Sequence, residues 1–278
     1  MNEEEIQDLI LDNDNISEPF KVYVRIRPFL PKERQKLRRN NSTSLITNFP
    51  YQNNFNNMQN LNSIFIVNNK TLYVISPKQN NPQEKKYFFT KIFTENENNN
   101  DVFNIAIKPT INNVINGYNS TTLAYGVTGT GKTHTIFGDL ALDIGEDGVA
   151  IKACEYLFKK LNKDYFDDDY EIKVSYIEIY NENVIDLLNN ENENLSLMII
   201  EDPNKGVYVP NLKEFKINNA NDLKKLITKG NKKRTMAPTN QNKFSSRSHA
   251  ILQLSLKRKS FNKKKKNFRY FFFKIFNS

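Results

Sequence analysis

Cysteine, glycine and long apolar runs are scarce in this chain of 278 residues. The one cysteine, Cys154, excludes an internal disulfide and is typical of a protein from a reducing compartment. No apolar run is long enough to cross a bilayer, and the acidic start at residues 1–5 is unlike a secretory signal. We therefore expect a cytoplasmic protein without a membrane partner.

Glycine occurs nine times, and three of these glycines lie close together in the middle of the chain. Gly126, Gly129 and Gly131 belong to the pattern G-x-x-x-x-G-K-[ST], which Lys132 and Thr133 complete. Glycine lets the backbone turn so that successive N–H groups point inward at a phosphate. A chance glycine-rich turn is the alternative, and the scarcity of glycine elsewhere disfavours it.

The residues on either side of this loop also favour phosphate binding. An apolar stretch at residues 121–125 can form a buried strand before the loop, and residues 134–137 can continue a helix after it. The start of that helix adds a positive dipole end. The Lys132 ammonium can reach the outer phosphates, and the Thr133 hydroxyl can ligate Mg²⁺. The pattern therefore predicts a nucleotide site.

The charge and the composition of the chain indicate which classes of partner it could bind. The net charge is +9 with a pI of about 9.3, and the basic residues concentrate from residue 257 onward, which favours an acidic partner. A nucleic-acid binder is disfavoured, because no platform of aromatic and basic residues supports it. Asparagine-rich tracts near residues 53–60, 96–100 and 189–194 are too polar to pack a core and predict solvated loops.

Hydrophobic periodicity predicts alternating strands and helices. Strands are expected at residues 22–26, 63–67, 71–75, 87–89, 121–125, 171–180 and 250–256. Helices are expected at residues 111–118, closed near Gly117, at residues 150–161, at residues 183–188, and at residues 223–230, capped by Gly230. We therefore predict an α/β fold with a mixed central β-sheet flanked by helices.

A second polar cluster lies just before the last of these strands, at residues 242–249. Ser245 and Ser246 supply hydroxyls for a metal, and Arg247 supplies a guanidinium for an anion. Alone, such a segment is more often a surface turn or a helix cap. Together with a phosphate loop, it predicts a nucleotide sensor that the γ-phosphate orders or releases.

Several separated motifs together resemble the kinesin motor domain. They are R-I-R-P at residues 25–28, G-Y-N-S-T-T-L-A-Y-G at residues 117–126, G-T-G-K-T-H-T at residues 129–135, S-Y-I-E-I-Y-N-E at residues 175–182, D-L-L at residues 186–188, and N-x-x-S-S-R-S-H at residues 242–249, the family's switch I. The resemblance covers residues 20–256, and it argues against an unrelated P-loop kinase or GTPase.

The resemblance implies a microtubule-stimulated ATPase that binds ATP and Mg²⁺. Arg25, Arg27 and Pro28 would border the adenine, and His134 would stack on it. The phosphate loop would consist of Gly126, Val127, Thr128, Gly129, Thr130, Gly131, Lys132 and Thr133.

The resemblance also assigns the catalytic roles and the partners. Lys132, Ser245, Ser246 and Arg247 would act in catalysis, and Thr133 and Ser246 would hold the metal. Catalysis would rest on positioning and charge stabilisation, without a covalent intermediate. Microtubules would be the partner, the location would be the cytoplasm and cytoskeleton, including the spindle, and dimers would form only through regions outside this sequence.

Three features are similar to the kinesin eight subfamily, whose members walk to or shorten microtubule plus ends. They are Val127 in the phosphate loop, the segment at residues 70–79, and the segment at residues 231–239.

The sequence departs from the family after switch I, because it holds no D-x-A-G-S-E motif, the family's switch II. We therefore expect an acidic extension at residues 1–19, a partial motor domain at residues 20–256 that ends before switch II, and a basic and aromatic tail at residues 257–278. The alternative function is a non-catalytic nucleotide-binding or microtubule-associated remnant of a kinesin. The lysine run in the tail predicts a solvated loop, and the aromatic run is either a replacement strand or a product of AT-rich noncoding sequence, which we favour.

Overall fold

The computed structural model describes residues 20–29, 64–66, 68–75, 84–139, 145–164, 169–189, 196–203, 206–236, 248–259 and 268–277. The chain divides into two compact units, residues 1–98 and residues 99–278. Among the described residues, both units contain strands and the second also contains helices, and the predicted α/β class is confirmed. No helix in the described ranges is long and apolar enough to cross a bilayer.

The described residues of the first unit form two small sheets. Strand β1 (Tyr23–Arg25) pairs in parallel with β5 (Lys91–Phe93). Strands β2 (Ile64–Ile66), β3 (Thr71–Ile75) and β4 (Glu84–Phe88) form an antiparallel sheet. Leu72 and Ile92 are buried between these strands, so each sheet contributes one residue to a shared core.

The second unit begins with a helical segment that changes pitch before a proline. Helix α1 (Asn99–Val102) leads into a π-helical turn (Phe103–Ile107) and then into α2 (Lys108–Ile115). The Lys108 N–H donates to the carbonyl of Phe103 across the wide turn. Pro109 has no N–H to donate, so the ordinary helical ladder could not have continued through this position.

In the described part of the chain three further helices follow: α3 (Lys132–Phe137), α4 (Val149–Asp164) and α5 (Ala220–Met236). Helix α4 packs against α2, α3 and α5. Its apolar residues recur at helical spacing and are buried, namely Val149, Ala150, Ala153, Cys154, Leu157 and Leu161.

A central sheet supports these helices. Its strands are β6 (Ser120–Ala124), β7 (Asp169–Tyr180), β8 (Asn183–Asp186), β11 (Phe215–Ile217), β12 (Ser248–Lys259) and β13 (Phe268–Asn277). The order is β11-β7-β12-β13-β6, and β8 also pairs with β7. The β13–β6 pair is parallel and the others are antiparallel, so the predicted mixed sheet is confirmed. Strands β9 (Ile200–Asp202) and β10 (Gly206–Tyr208) form a separate hairpin.

One face of the central sheet carries the helices. Buried apolar side chains stand at every second position of β7 and β12 and point to one face: Ile172, Val174, Tyr176, Leu252, Leu254 and Leu256. Ser175 and Ile177 of β7 and Ser255 of β12, at intervening positions, are also buried. The Tyr176 ring contacts Phe137 of α3 at 5.7 Å between centroids, and its hydroxyl donates to the side-chain oxygen of Asn231 in α5 at 2.8 Å. Helices α3 and α5 therefore cover the same face.

Two of the predicted helices are wrong, one in kind and one in extent. Residues 183–186 form strand β8 rather than a helix, because Asn181 and Glu182 adopt positive φ angles of 48° and 62° and close a two-residue hairpin from β7. Helix α5 continues through Gly230 to Met236 instead of ending at that glycine.

The sheet also extends beyond the strand predicted at residues 250–256. Strand β12 continues to Lys259, so residues 257–259 are not loop. The aromatic run forms β13, which lies between β12 and the strand that precedes the phosphate loop. The sequence allowed two interpretations of this aromatic run, a replacement strand or a product of noncoding sequence, and the described residues agree with the strand. The domain boundary expected at residue 256 stays a prediction.

Candidate nucleotide site

The predicted phosphate loop connects β6 to α3. Gly129 and Gly131 have φ angles of 85° and 93°, in the left-handed region that a side chain disfavours. A Cβ atom at Gly129 would meet no atom within 4 Å, so the loop is open at this point. A Cβ atom at Gly126 would lie 2.8 Å from the Thr130 hydroxyl oxygen. The glycines of the pattern are therefore required by backbone conformation and by a close approach.

Lys132 folds back over this loop. Its Nζ atom donates to the carbonyl oxygens of Gly126 at 2.7 Å and Val127 at 3.3 Å. The Thr130 hydroxyl donates to the Val127 carbonyl at 2.8 Å, which tightens the same turn. The structure thus brings together the ammonium group and the loop that the sequence assigns to phosphate.

The donor set of the loop fits a phosphate group. From Gly126 to Thr133 the chain carries backbone N–H groups, threonine hydroxyls and one ammonium, and no carboxylate. Thr133 directly follows Lys132 in the first turn of α3, and its side chain is exposed. A hydroxyl is a ligand that Mg²⁺ accepts beside phosphate oxygens. The residues present therefore fit ATP with Mg²⁺.

His134 lies next in the chain, and its environment includes residues that sequence reasoning missed. Its imidazole is half-exposed, and the Nε2 atom lies 3.7 Å from a carboxylate oxygen of Glu146. The other Glu146 oxygen accepts the Asn99 backbone N–H at 2.6 Å. The buried Asn99 side chain donates to the carbonyls of His134 at 3.1 Å and Asp147 at 3.2 Å.

Asn99 therefore ties the start of α1 to α3 and to the residues before α4. Its place in an asparagine-rich tract concealed this role, because one buried asparagine looks like its exposed neighbours in sequence. A single asparagine has no periodic pattern around it, so the sequence cannot show whether its side chain is buried and hydrogen-bonded or exposed in a loop.

The residues expected to border the adenine belong to the first unit. The Arg25 guanidinium donates to the Glu97 carbonyl at 3.3 Å, and the Arg27 guanidinium donates to the Pro28 carbonyl at 3.0 Å. Glu97 itself bonds to Lys91 at 2.8 Å and accepts the Thr94 N–H at 2.6 Å. Burial alone would raise the pKa of Glu97, but Lys91 and Thr94 together hold it below its ordinary value of 4.5.

The catalytic serines and arginine predicted from switch I, Ser245, Ser246 and Arg247, lie outside the described residues. Ser248, the next residue, begins β12, and its hydroxyl accepts a bond from Arg234 at 3.0 Å. Arg234 also pairs with Glu178 of β7 at 3.0 Å. Sequence reasoning missed this pair, although a glutamate between two isoleucines, Ile177 and Ile179, is a signal for a buried partner.

The Tyr176 side chain lies beside this pair. Burial raises the pKa of its phenol to about 12, although Arg234 acts in the opposite direction. Tyr176 therefore stays protonated at physiological pH and donates its hydrogen bond to Asn231.

The sheet, the loop after β6 and the helix that Lys132 begins define a P-loop nucleotide-binding fold. The family model of the kinesin motor domain matches residues 25–274, and the chain belongs to this family.

Three curated relatives illustrate the match. The chain is 38% identical over 188 residues to the kinesin-like protein KIP3 of Saccharomyces cerevisiae, an alignment of 68% of the chain and 23% of the relative. It is 40% identical over 184 residues to KIF19 of Xenopus laevis, covering 66% of the chain and 18% of the relative. It is 34% identical over 206 residues to KIN-8B of Arabidopsis thaliana, covering 71% and 24%. The chain thus spans less than a quarter of each relative's length.

A solved structure has the same fold. It is a fast kinesin, described with implications for its ATPase mechanism and interactions with microtubules, and it superposes with a TM-score of 0.73 at 28% identity. The superposition covers 93% of this chain and 64% of that one. The expected kinesin fold is therefore confirmed.

Proposed function

We propose that this chain binds ATP with Mg²⁺ at residues 126–133 and that it forms the nucleotide-binding part of the motor domain of a microtubule-dependent ATPase. The observation that carries the proposal is the loop itself: left-handed glycines at residues 129 and 131, with the Lys132 ammonium folded over them.

Lys132 and Thr133 have the central roles in this proposal. Because the Lys132 ammonium bonds to two loop carbonyls, a phosphate oxygen can replace those acceptors without moving the charge far. Thr133 offers its hydroxyl to the metal. Mg²⁺, when bound, neutralises phosphate charge and orients the outer phosphates.

The remaining roles follow from the family motifs. Ser245 and Ser246 would position the attacking water, with Ser246 also a metal ligand, and Arg247 would stabilise negative charge. Arg25, Arg27 and Pro28 would border the adenine, and His134 would stack on it. The motor domain would occupy residues 20–256.

The proposal also covers the activity of the whole protein. Family membership supports microtubule-stimulated ATP hydrolysis and a location in the cytoplasm on the cytoskeleton. The match to a relative named KIN-8B, together with Val127 and the segments at residues 70–79 and 231–239, supports the kinesin eight subfamily, with movement along microtubules or their shortening as the output.

A binding experiment tests the nucleotide site. Labelled ADP and a labelled non-hydrolysable ATP analogue, each with Mg²⁺, should bind wild-type residues 1–278 and should not bind Lys132→Ala. Lys225→Ala is a matched control, because Lys225 is exposed on α5 in the same unit. Equal binding by wild type and Lys132→Ala, with the fold intact by circular dichroism, would contradict the site.

A second experiment tests the partner. Co-sedimentation with microtubules should be stronger with the ATP analogue than with ADP, and high salt should weaken it, because the chain is basic and the partner is expected to be acidic. A protein that binds nucleotide but sediments with microtubules no more than a basic control protein does would refute the motor assignment and leave the nucleotide site standing.

A further inference from the structure

The carboxylate of Glu146 connects the imidazole of His134 to the start of another helix. The His134 ring is half-exposed on α3, and its Nε2 atom lies 3.7 Å from one Glu146 carboxylate oxygen. The other oxygen of the same carboxylate accepts the backbone N–H of Asn99, the first residue of α1, at 2.6 Å. A half-exposed ring on a short helix is therefore linked through one side chain to a second element.

Asn99 holds both ends of this connection. Its buried side chain donates to the backbone carbonyl of His134 at 3.1 Å and to that of Asp147, the residue after Glu146, at 3.2 Å. The Asp147 carboxylate in turn pairs with Lys224 of α5 at 3.1 Å. The backbone under the imidazole and the backbone beside the carboxylate are thus tied to the same residue.

Two glycines allow these segments to lie so close together. Gly138 stands one helical turn after His134 and pairs with Asp147 in an antiparallel bridge. A Cβ atom at Gly138 would overlap the Glu146 carbonyl oxygen, and one at Gly148 would overlap the Gly138 nitrogen. The close approach of the two backbones places the Glu146 side chain beside the imidazole.

An imidazole held in this way can present a fixed face to a ligand. An exposed histidine side chain samples several rotamers, and a ligand that stacks on it must first order it. The carboxylate at Nε2 favours one ring orientation before any ligand binds, so less order has to be imposed on binding. A carboxylate repels phosphate, so Glu146 suits a role toward a base and not toward the phosphates.

We propose that Glu146, held by Asn99, is a positioning residue that fixes the His134 imidazole so that its exposed face receives the purine base of the nucleotide. The inference rests on the proposed function, in which His134 stacks on the adenine. Glu146 touches the imidazole and not the nucleotide. Its contribution is therefore the same for ATP and ADP, which carry the same base.

The sharpest test removes one charge. Glu146→Gln takes away the charge beside the imidazole and keeps an oxygen that can accept the Asn99 N–H. Glu155→Gln is the matched control, because it makes the same change at an exposed position of α4. Calorimetry on residues 1–278 measures the affinities for ADP and for a non-hydrolysable ATP analogue, both with Mg²⁺. The set includes the wild type, the two glutamine variants, His134→Ala and the double variant of His134→Ala with Glu146→Gln.

The expected result is a loss that depends on the imidazole. Glu146→Gln should bind ADP and the ATP analogue each about fivefold more weakly, the size expected when one more side chain must be ordered on binding. Glu155→Gln should bind both as the wild type does. In the His134→Ala background, Glu146→Gln should cause no further loss, because its effect passes through the ring. A merely structural role of Glu146 would lower the affinity in both backgrounds.

Several outcomes would overturn the inference and leave the phosphate site standing. They are a wild-type affinity for Glu146→Gln, an equal loss for Glu155→Gln, an equal loss in the two backgrounds, and a His134→Ala protein that binds ADP as tightly as the wild type. If the wild type binds neither nucleotide, the proposed function and this inference fail together.

Discussion

Gly230 of α5 lies directly against the ring of Tyr176 in β7. A Cβ atom at residue 230 would come within 2.4 Å of Tyr176 Cδ1 and 2.7 Å of Cε1. Leu187 closes the same space, with its Cβ atom at 3.3 Å. The helix therefore contains a glycine in its interior because the sheet leaves no room for a side chain.

Gly230→Ala should destabilise the protein. Alanine would improve helix propensity by about 1 kcal/mol, but overpacking against a rigid aromatic ring costs typically 1–3 kcal/mol. We expect a net loss in the free energy of unfolding, measured by denaturant titration with circular dichroism. Lys225→Ala, at an exposed position of the same helix, should change it by less than about 0.5 kcal/mol. A Gly230→Ala protein as stable as the wild type would show that α5 can shift away from β7.

The Glu97 carboxylate should make the stability of the first unit depend on pH. Its pKa is lowered in the folded state, so its stabilisation is complete above the unfolded pKa and disappears as the pH falls through the folded pKa. Glu97→Gln should therefore weaken the unit near neutral pH, and the difference from wild type should vanish in acid. Denaturant unfolding of both proteins across this pH range checks the sign. A difference that grows in acid would contradict it.

Cys154 should be unreactive in the folded protein. Burial raises the pKa of its thiol to about 12, and the residue is fully buried in α4. Both the low thiolate fraction and the lack of access oppose reaction. A thiol-specific chromogenic reagent should modify the native protein only as fast as it unfolds, and should modify it at once in denaturant. Rapid stoichiometric labelling without denaturant would contradict the burial of α4.

Strand β13 should be protected from solvent exchange. It pairs with β12 over residues 268–277 and in parallel with β6 through residues 273–277. Because central strands open only with the sheet, their amides should exchange as slowly as those of β12. Hydrogen exchange read by mass spectrometry on peptides from this region provides the measurement. Exchange of β13 as fast as an unstructured peptide would restore the interpretation of this run as an appended tail.

The sequence predicted correctly those parts of the fold that are encoded by a pattern within one short segment. The phosphate loop has a fixed spacing of glycine, lysine and threonine, and β7 and α4 have strong apolar periodicity, so each could be located without its neighbours. The strands expected at residues 63–67 and 71–75 were located for the same reason, and between them the Asn68 side-chain oxygen accepts the Lys70 N–H at 2.8 Å.

The errors arose where a distant partner decides the conformation. Gly230 looks like a helix cap until the ring of Tyr176 is placed beside it. Residues 183–186 have no strong period of their own, and the turn at Asn181 folds them back onto β7. The Arg234–Glu178 pair joins residues 56 positions apart, which no local pattern reports.

The position of β13 has a consequence for how the protein is made. Leu123 in β6 pairs with Phe276, a partner that the ribosome adds 153 residues later (276 − 123). Helices and antiparallel hairpins can form as they emerge, whereas this parallel pair must wait for most of the chain. During synthesis the strand before the phosphate loop therefore stays without its β13 neighbour until late. A nascent chain would carry the nucleotide loop in its sequence long before it could hold that loop in place.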